Sequence, residues 1–162
     1  MEQTRLTSDD GIPALSFPYL AGLLDGEGCI MLYKAKNKHL ACGWAWQVRV
    51  QISQSNPAFI DSLKSFLGYG SVLHNVAVNK QTKKLSSRSA IIFASRKARR
   101  FLKAVFPHLI LKREEAKLCL EAIFLLSHRN KANRHSATDD RLTELAALIT
   151  AHHSRKGPRL TS

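Results

Sequence analysis

Asp25 and Glu27 close the stretch LAGLLDGEG, residues 20–28, and alternate there with Gly26 and Gly28. The run from Tyr19 to Leu24 reads as a helix, with Ser16 able to cap it and Pro18 tolerated in its first turn. Gly26 is then expected just past the helix end. Both acids fall at the C-terminal end of that helix, where the partial charge is already negative. An acid there is disfavoured by about 0.3–1 kcal/mol, so a cation is expected to offset the cost. Gly22 and Gly26, four residues apart, share a helix face and permit close approach of another backbone. An ordinary core helix ending in an Asp-Gly turn would carry the same residues.

The chain that positions these groups has 162 residues, 44% of them hydrophobic, enough for one domain with a real core. Its 25 Lys and Arg outnumber its 12 Asp and Glu, giving a net charge of +13. That balance favours a polyanionic partner, either nucleic acid or an anionic membrane surface. No apolar run approaches membrane-spanning length and the first residues lack a signal-peptide pattern. The protein is therefore expected to be soluble and intracellular, cytoplasmic or organellar, without a membrane partner. Cys29, Cys42 and Cys119 form no CxxC pair and read as reduced, mostly buried thiols. Adjacent His152 and His153, with no cysteine near, do not make a zinc site.

The clearest element is WAWQVRVQIS, 44–53, a strand of strict period two. Trp44, Trp46, Val48, Val50 and Ile52 form an apolar face, and Gln47, Arg49, Gln51 and Ser53 a polar one. The polar face has no acid, and Arg and Gln make bidentate pairs with guanine and adenine edges. A plain solvated sheet face would look similar. Further strands are expected over 29–36, 71–79 and 88–94, with a connection at 37–43 and a basic turn at 80–87. Helices are expected over 57–67, capped by Asn56 and closed by GYG at 68–70, over 96–106 after Ser95, over 112–126, and from Thr138 to His153. Residues 1–15 read as a flexible arm, 16–153 as the single domain and 154–162 as a basic tail. The order α-β-β-α-β-β-α is an α+β fold. It predicts a four-stranded antiparallel sheet with helices on one face and an open face suited to a DNA major groove. Tyr33, Asn37, Asn75, Arg88 and Ser89 are expected to extend the DNA-contacting set beyond Gln47, Arg49, Gln51 and Ser53. Arg96, Lys97, Arg99 and Arg100 read equally well as phosphate contacts or as a solvated basic helix face.

LAGLLDGEG resembles the signature helix of the LAGLIDADG homing endonucleases, with Glu in place of the second Asp. The element order is similar too, over roughly residues 16–126, and residues 137–153 resemble the extra C-terminal helices of longer members. The motif occurs once, as in the single-motif subclass. The resemblance implies a homodimer in which two signature helices pack together through Leu20, Gly22, Leu23 and Gly26. It implies that Glu27 and the Gly26 carbonyl bind divalent metal beside the scissile phosphate, with Asp25 structural. By similarity, QISQ points to Gln54 near the hydrolytic water, and PHLILK points to Lys112 as the catalytic lysine. A second basic group of the family has Asn56 or Pro57 at its corresponding place here, and Lys34 to Lys38, Lys112 and Arg113 are the candidate substitutes.

The resemblance therefore implies Mg2+-dependent hydrolysis of both strands of a long pseudo-palindromic duplex, leaving 3' overhangs. Mn2+ is expected to substitute for Mg2+, and Ca2+ to bind without supporting cleavage. Two other functions fit the residues: a catalytically inactive DNA-binding regulator of this fold, and an RNA maturase. RNA binding is disfavoured, because Trp44 and Trp46 lie on the apolar strand face and not on a stacking platform.

Overall fold

The computed structural model describes residues 15–78, 85–128 and 137–154. The expected basic tail, and all but the last residue of the expected N-terminal arm, lie outside them. The first helix, α1, runs Phe17–Glu27. The hydroxyl of Ser16 accepts from the Tyr19 N–H, and Pro18 sits in the first turn. Strand β1 (Gly28–Lys36) and strand β2 (Trp44–Gln54) follow, joined by the expected 37–43 connection. Helix α2 occupies Pro57–Leu67, with the Asn56 side chain accepting from the Phe59 N–H. Gly68 closes it in the left-handed conformation, φ 73°. Strands β3 (Ser71–Val78) and β4 (Leu85–Ala94) precede α3 (Arg96–Val105) and a 3-10 turn at Phe106–His108. Helices α4 (Arg113–Ser127) and α5 (Ala137–Ser154) complete the order.

Several boundaries and caps differ from expectation. Helix α1 carries Gly26 and Glu27 inside it and ends on Gly28, whose N–H donates to the Leu24 carbonyl. Strand β4 begins at Leu85, because Ser86 and Ser87 pair in register with Ala77 and Val76 of β3. Backbone ladder bonds need no apolar side chain. Ser95 does not cap α3 with its side chain; its φ of 50° makes it the sharp reversal that swings the chain from β4 onto the helix layer. Thr138 lies inside α5, which already begins at Ala137.

The sheet order is β1-β2-β4-β3, antiparallel throughout. Alternate residues Ile30, Leu32, Trp46, Val48, Val50, Ile52, Ile91 and Phe93 turn inward and pack against the helices. Phe93 stacks on Phe101 of α3, with ring centroids 4.3 Å apart. Trp46 also donates from Nε1 to Asp139 Oδ1 at 3.2 Å, tying β2 to α5. Burial raises the Cys119 thiol to about 12, whereas Cys29 is half-buried and Cys42 exposed, so the thiols are less uniformly buried than expected. All three are free. Among the described residues no helix is long and apolar enough to cross a membrane.

Gly70 enters β3 with φ 111°, and a Cβ there would lie 2.9 Å from Ile91 Cγ1 and Phe93 Cε1. Gly70→Ala is expected to lower the unfolding free energy by about 1–3 kcal/mol, read as a lower denaturant midpoint at unchanged slope. A midpoint equal to the parent's would show that the turn accommodates a side chain.

Candidate active site and nucleic-acid face

The C-terminal tip of α1 is where the core, the sheet and the loop before α4 meet. Asp25 is 7% exposed. Its Oδ2 accepts the Ile110 N–H at 2.9 Å and its Oδ1 accepts the Lys112 N–H at 2.8 Å. Lys112 is 2% exposed. Its ammonium donates to the carbonyls of Leu24 and Asp25, at 2.8 and 2.5 Å. The cation that the helix end requires is therefore this lysine. Lys112 immediately precedes α4, whose N-terminal end would repel it. Its side chain instead reaches the negative end of α1, and Glu114 and Glu115 occupy the first turn of α4.

With Asp25 bonded to backbone, Glu27 is the acid left exposed at the tip. Gln54, the last residue of β2, donates from Nε2 to Glu27 Oε2 at 2.6 Å. The structure thus brings together Gly26, Glu27, Gln54 and Lys112 around one helix end. Because α1 ends at Glu27, the Gly26 carbonyl has no donor four residues on within the helix. A carboxylate, an amide and a free-ended carbonyl are hard oxygen donors of the kind Mg2+ and Ca2+ take. Among the described residues no group of three or more His, Cys, Asp or Glu could hold a metal ion. A six-oxygen shell at Glu27 would therefore draw most of its ligands from water, phosphate or a second copy of the chain.

The outward face of α1 carries Tyr19, Gly22, Leu23 and Gly26. Gly22 and Gly26 are exposed, and a Cβ at either would meet nothing within 4 Å. Leu20 does not belong to this face. It is 0% exposed, because it falls on the opposite helix stripe with Ala21 and Leu24, inside the chain's own core. Large apolar residues missed by sequence reasoning surround the stripe and the tip: Phe17 is 39% exposed, Ile110 82% and Leu111 67%.

On the open sheet face, cross-strand register places Tyr33 opposite Gln47 and Asn75 opposite Arg88. Arg49, Gln51 and Ser53 share that face along β2. Ser89 does not. It follows Arg88 directly, so the pleat turns it to the helix side, where it is 2% exposed. Its Oγ lies 2.8 Å from His74 Nδ1, and His74 Nε2 lies 3.3 Å from Asp61 of α2. Asn37 sits beyond the strand end, with Oδ1 accepting the His39 N–H at 3.0 Å. Arg96, Lys97, Arg99 and Arg100 are exposed on α3, opposite its buried residues Ala98, Phe101, Leu102 and Val105. They lie in the helix layer and not on the sheet face. Arg100 stacks over the Tyr69 ring at 4.3 Å. Asn56 serves as the α2 cap, and Pro57 starts that helix.

A model of the LAGLIDADG endonuclease family matches residues 20–112. Among solved structures, the fold is similar to the homing endonuclease I-CvuI in complex with the I-CreI target in 2 mM Mg, where the DNA is not cleaved. The TM-score is 0.68 and the identity 22%, covering 90% of this chain and 85% of that one. It is also similar to the archaeal intron-encoded homing endonuclease I-Vdi141I complexed with DNA, with TM-score 0.66, 21% identity and coverage of 90% and 88%. The I-LtrWI LAGLIDADG homing endonuclease bound to target DNA aligns with TM-score 0.65 and 19% identity, over 86% of this chain and 45% of that one. No curated protein matches the chain.

Asp25→Asn replaces one of two carboxylate acceptors with a donor that faces a backbone N–H. It is expected to destabilise the fold by about 1–3 kcal/mol, measured by chemical denaturation. Unchanged stability would remove Asp25 from the joint between α1 and the 109–112 loop.

Proposed function

The chain belongs to the LAGLIDADG endonuclease family, and on that premise we propose that it is a site-specific homing endonuclease acting on double-stranded DNA as a homodimer. The observation that carries the reading is the exposed Glu27 carboxylate, held by Gln54 at the tip of a helix whose outer face is open glycine. Two such helices packed through Tyr19, Gly22, Leu23 and Gly26 bring two Glu27 residues together, each beside one strand of a duplex lying on the paired sheet faces. The target is a long pseudo-palindrome, cut on both strands to leave 3' overhangs. The protein acts in whichever compartment holds the intron-bearing DNA.

Divalent metal, Mg2+ in the working enzyme with Mn2+ able to replace it and Ca2+ binding without cleavage, supplies an activated water and neutralises charge on the leaving oxygen. Glu27 and the Gly26 carbonyl would hold it. Gln54 fixes the Glu27 carboxylate through Oε2 and would order water beside the phosphate. Lys112 places positive charge directly behind the tip. To stabilise the phosphate itself, its ammonium must exchange the Leu24 and Asp25 carbonyls for a phosphate oxygen. The sheet face carries Tyr33, Gln47, Arg49, Gln51, Ser53, Asn75 and Arg88 toward base edges and backbone, with Asn37 at the outer end.

Glu27→Gln is expected to reduce Mg2+-dependent cleavage by about 10³-fold or more while leaving binding of the selected duplex largely intact. Lost binding would assign Glu27 to structure, and a parent that cleaves no selected target would identify a DNA-binding regulator. Affinity is expected to fall linearly in log–log form with salt. Gly22→Leu is expected to leave the monomer folded, since nothing in the chain occupies that space. It should abolish the dimer and cleavage together, as seen by light scattering and plasmid cutting. A dimer that persists would place the interface elsewhere.

A further inference from the structure

Along β2, Arg49 Nη2 donates to Gln51 Oε1 at 2.8 Å, and Gln51 Nε2 donates to Ser53 Oγ at 2.8 Å. We propose that these three side chains form one hydrogen-bonded reader whose polarity Arg49 sets, so that base preference at the Gln51 position depends on a donor at position 49. The proposal rests on the reading of this sheet face as the DNA surface.

The order of the bonds follows from the chemistry of the groups. A guanidinium has donors and no acceptor, so Gln51 must turn its oxygen toward Arg49. The amide nitrogen then points the other way, to Ser53. The serine hydroxyl donates and accepts equally well, so it follows the amide and does not direct it. The Arg49 Nε is buried without a hydrogen bond, so the guanidinium's bond within the run is the one from Nη2 to Gln51. Register places Met31 and Ala94 beside Arg49, Cys29 and Ile92 beside Gln51, and Ala90 beside Ser53. None of these side chains carries oxygen or nitrogen, so the bonds run along the strand and not across it. Gln47 belongs to a separate unit, because its Oε1 accepts from Tyr33 Oη across the β1–β2 pair at 3.2 Å.

Gln51 keeps one N–H and one oxygen lone pair. That pair complements the N7 and N6 edge of adenine in a single direction, with acceptor toward Arg49 and donor toward Ser53. Removing Arg49 removes the guanidinium that forbids the reversed amide. The loss then appears at two base pairs, the one facing Arg49 and the one facing Gln51. Ser53 acts as a positioning residue at the end of the run.

The test uses the full chain and duplexes recovered from random-sequence DNA by the parent protein in Ca2+, each then varied one base pair at a time. Gln51→Ala identifies the pair that Gln51 reads. Arg49→Met and Arg49→Lys both lose about tenfold of the preference at the Arg49 pair. Arg49→Met is expected also to lose about tenfold at the Gln51 pair, whereas Arg49→Lys, which still carries only donors, retains that preference. The proposal is overturned if Arg49→Met leaves the Gln51 preference intact, or if Arg49→Lys loses it as fully as Arg49→Met. Ser53→Ala provides an independent measurement: it is expected to preserve the order of preference at the Gln51 pair, and a reversal there would take the polarity away from Arg49. A parent protein with no base preference anywhere on this face defeats the DNA-reading premise itself. Preferences present but uncoupled defeat only the linked reader.

Discussion

The ammonium of Lys112 and the carboxylate of Asp25 cross-connect α1 to a segment 87 residues further along the chain. Each half of the exchange satisfies what the other element lacks. The α1 carbonyls at Leu24 and Asp25 receive the lysine, and the N–H groups of Ile110 and Lys112 receive the aspartate. Buried groups of this kind are costly when left unbonded, so the joint fixes the tip of α1 against the start of α4 in one arrangement. Helix α4 in turn packs on β1, β2 and α5. The consequence at the surface is that Glu27, next but one to Asp25, is free to face outward while its backbone is held from behind.

Among the described residues, the sheet contributes by leaving one face uncovered. All the helices pack on the side that carries Ile30, Val50, Ile52 and Phe93, and the reversal at Ser95 keeps α3 on that side. What remains outward on β2 is an uninterrupted polar series between strands that offer mostly small or apolar neighbours. The same strand delivers Gln54 to Glu27 at its end, one residue after Ser53. Under the proposed function, a single strand carries both the reading residues and a residue of the reactive tip, so the position of the duplex on β2 and its position at Glu27 are one geometric variable.

Local chemistry was legible in the sequence wherever it was sufficient. Asn56, Pro57 and Gly68 fix α2 without help from the rest of the chain, and the period of two in β2 names its inner and outer faces. The readings that failed depended on partners distant in sequence. Gly26 resembles a helix terminator, yet the lysine bound to the Asp25 carbonyl helps carry α1 one residue beyond it. Leu20 looks like a contact residue because the motif is apolar all round, and the structure gives it to the core. Arg88 and Ser89 are both expected to contact DNA, although adjacent strand residues point oppositely and Ser89 is buried. Gly26, Glu27, Gln54 and Lys112, which the structure brings together at the α1 tip, are residues that the resemblance names. What that resemblance did not carry was the location of Lys112, buried on α1 and not solvated at the start of α4.

Under the proposed dimer, the helix that makes the contact is also the helix that presents the carboxylate. Gly26 adjoins Glu27, so the distance at which two α1 helices meet sets the distance between two glutamates. Bringing like charges together raises the cost of both being ionised, and the hydrogen bond to Glu27 within its own chain comes from the neutral Gln54. A divalent cation held between the two carboxylates relieves that cost, and the chain's net charge of +13 draws in the phosphate backbone whose oxygens would help complete the ion's shell. Assembly, ion binding and DNA docking are then linked by charge as well as by shape: each lowers the penalty on the others, and a solitary chain, with one outward carboxylate at its tip, lacks the ligands to complete the site.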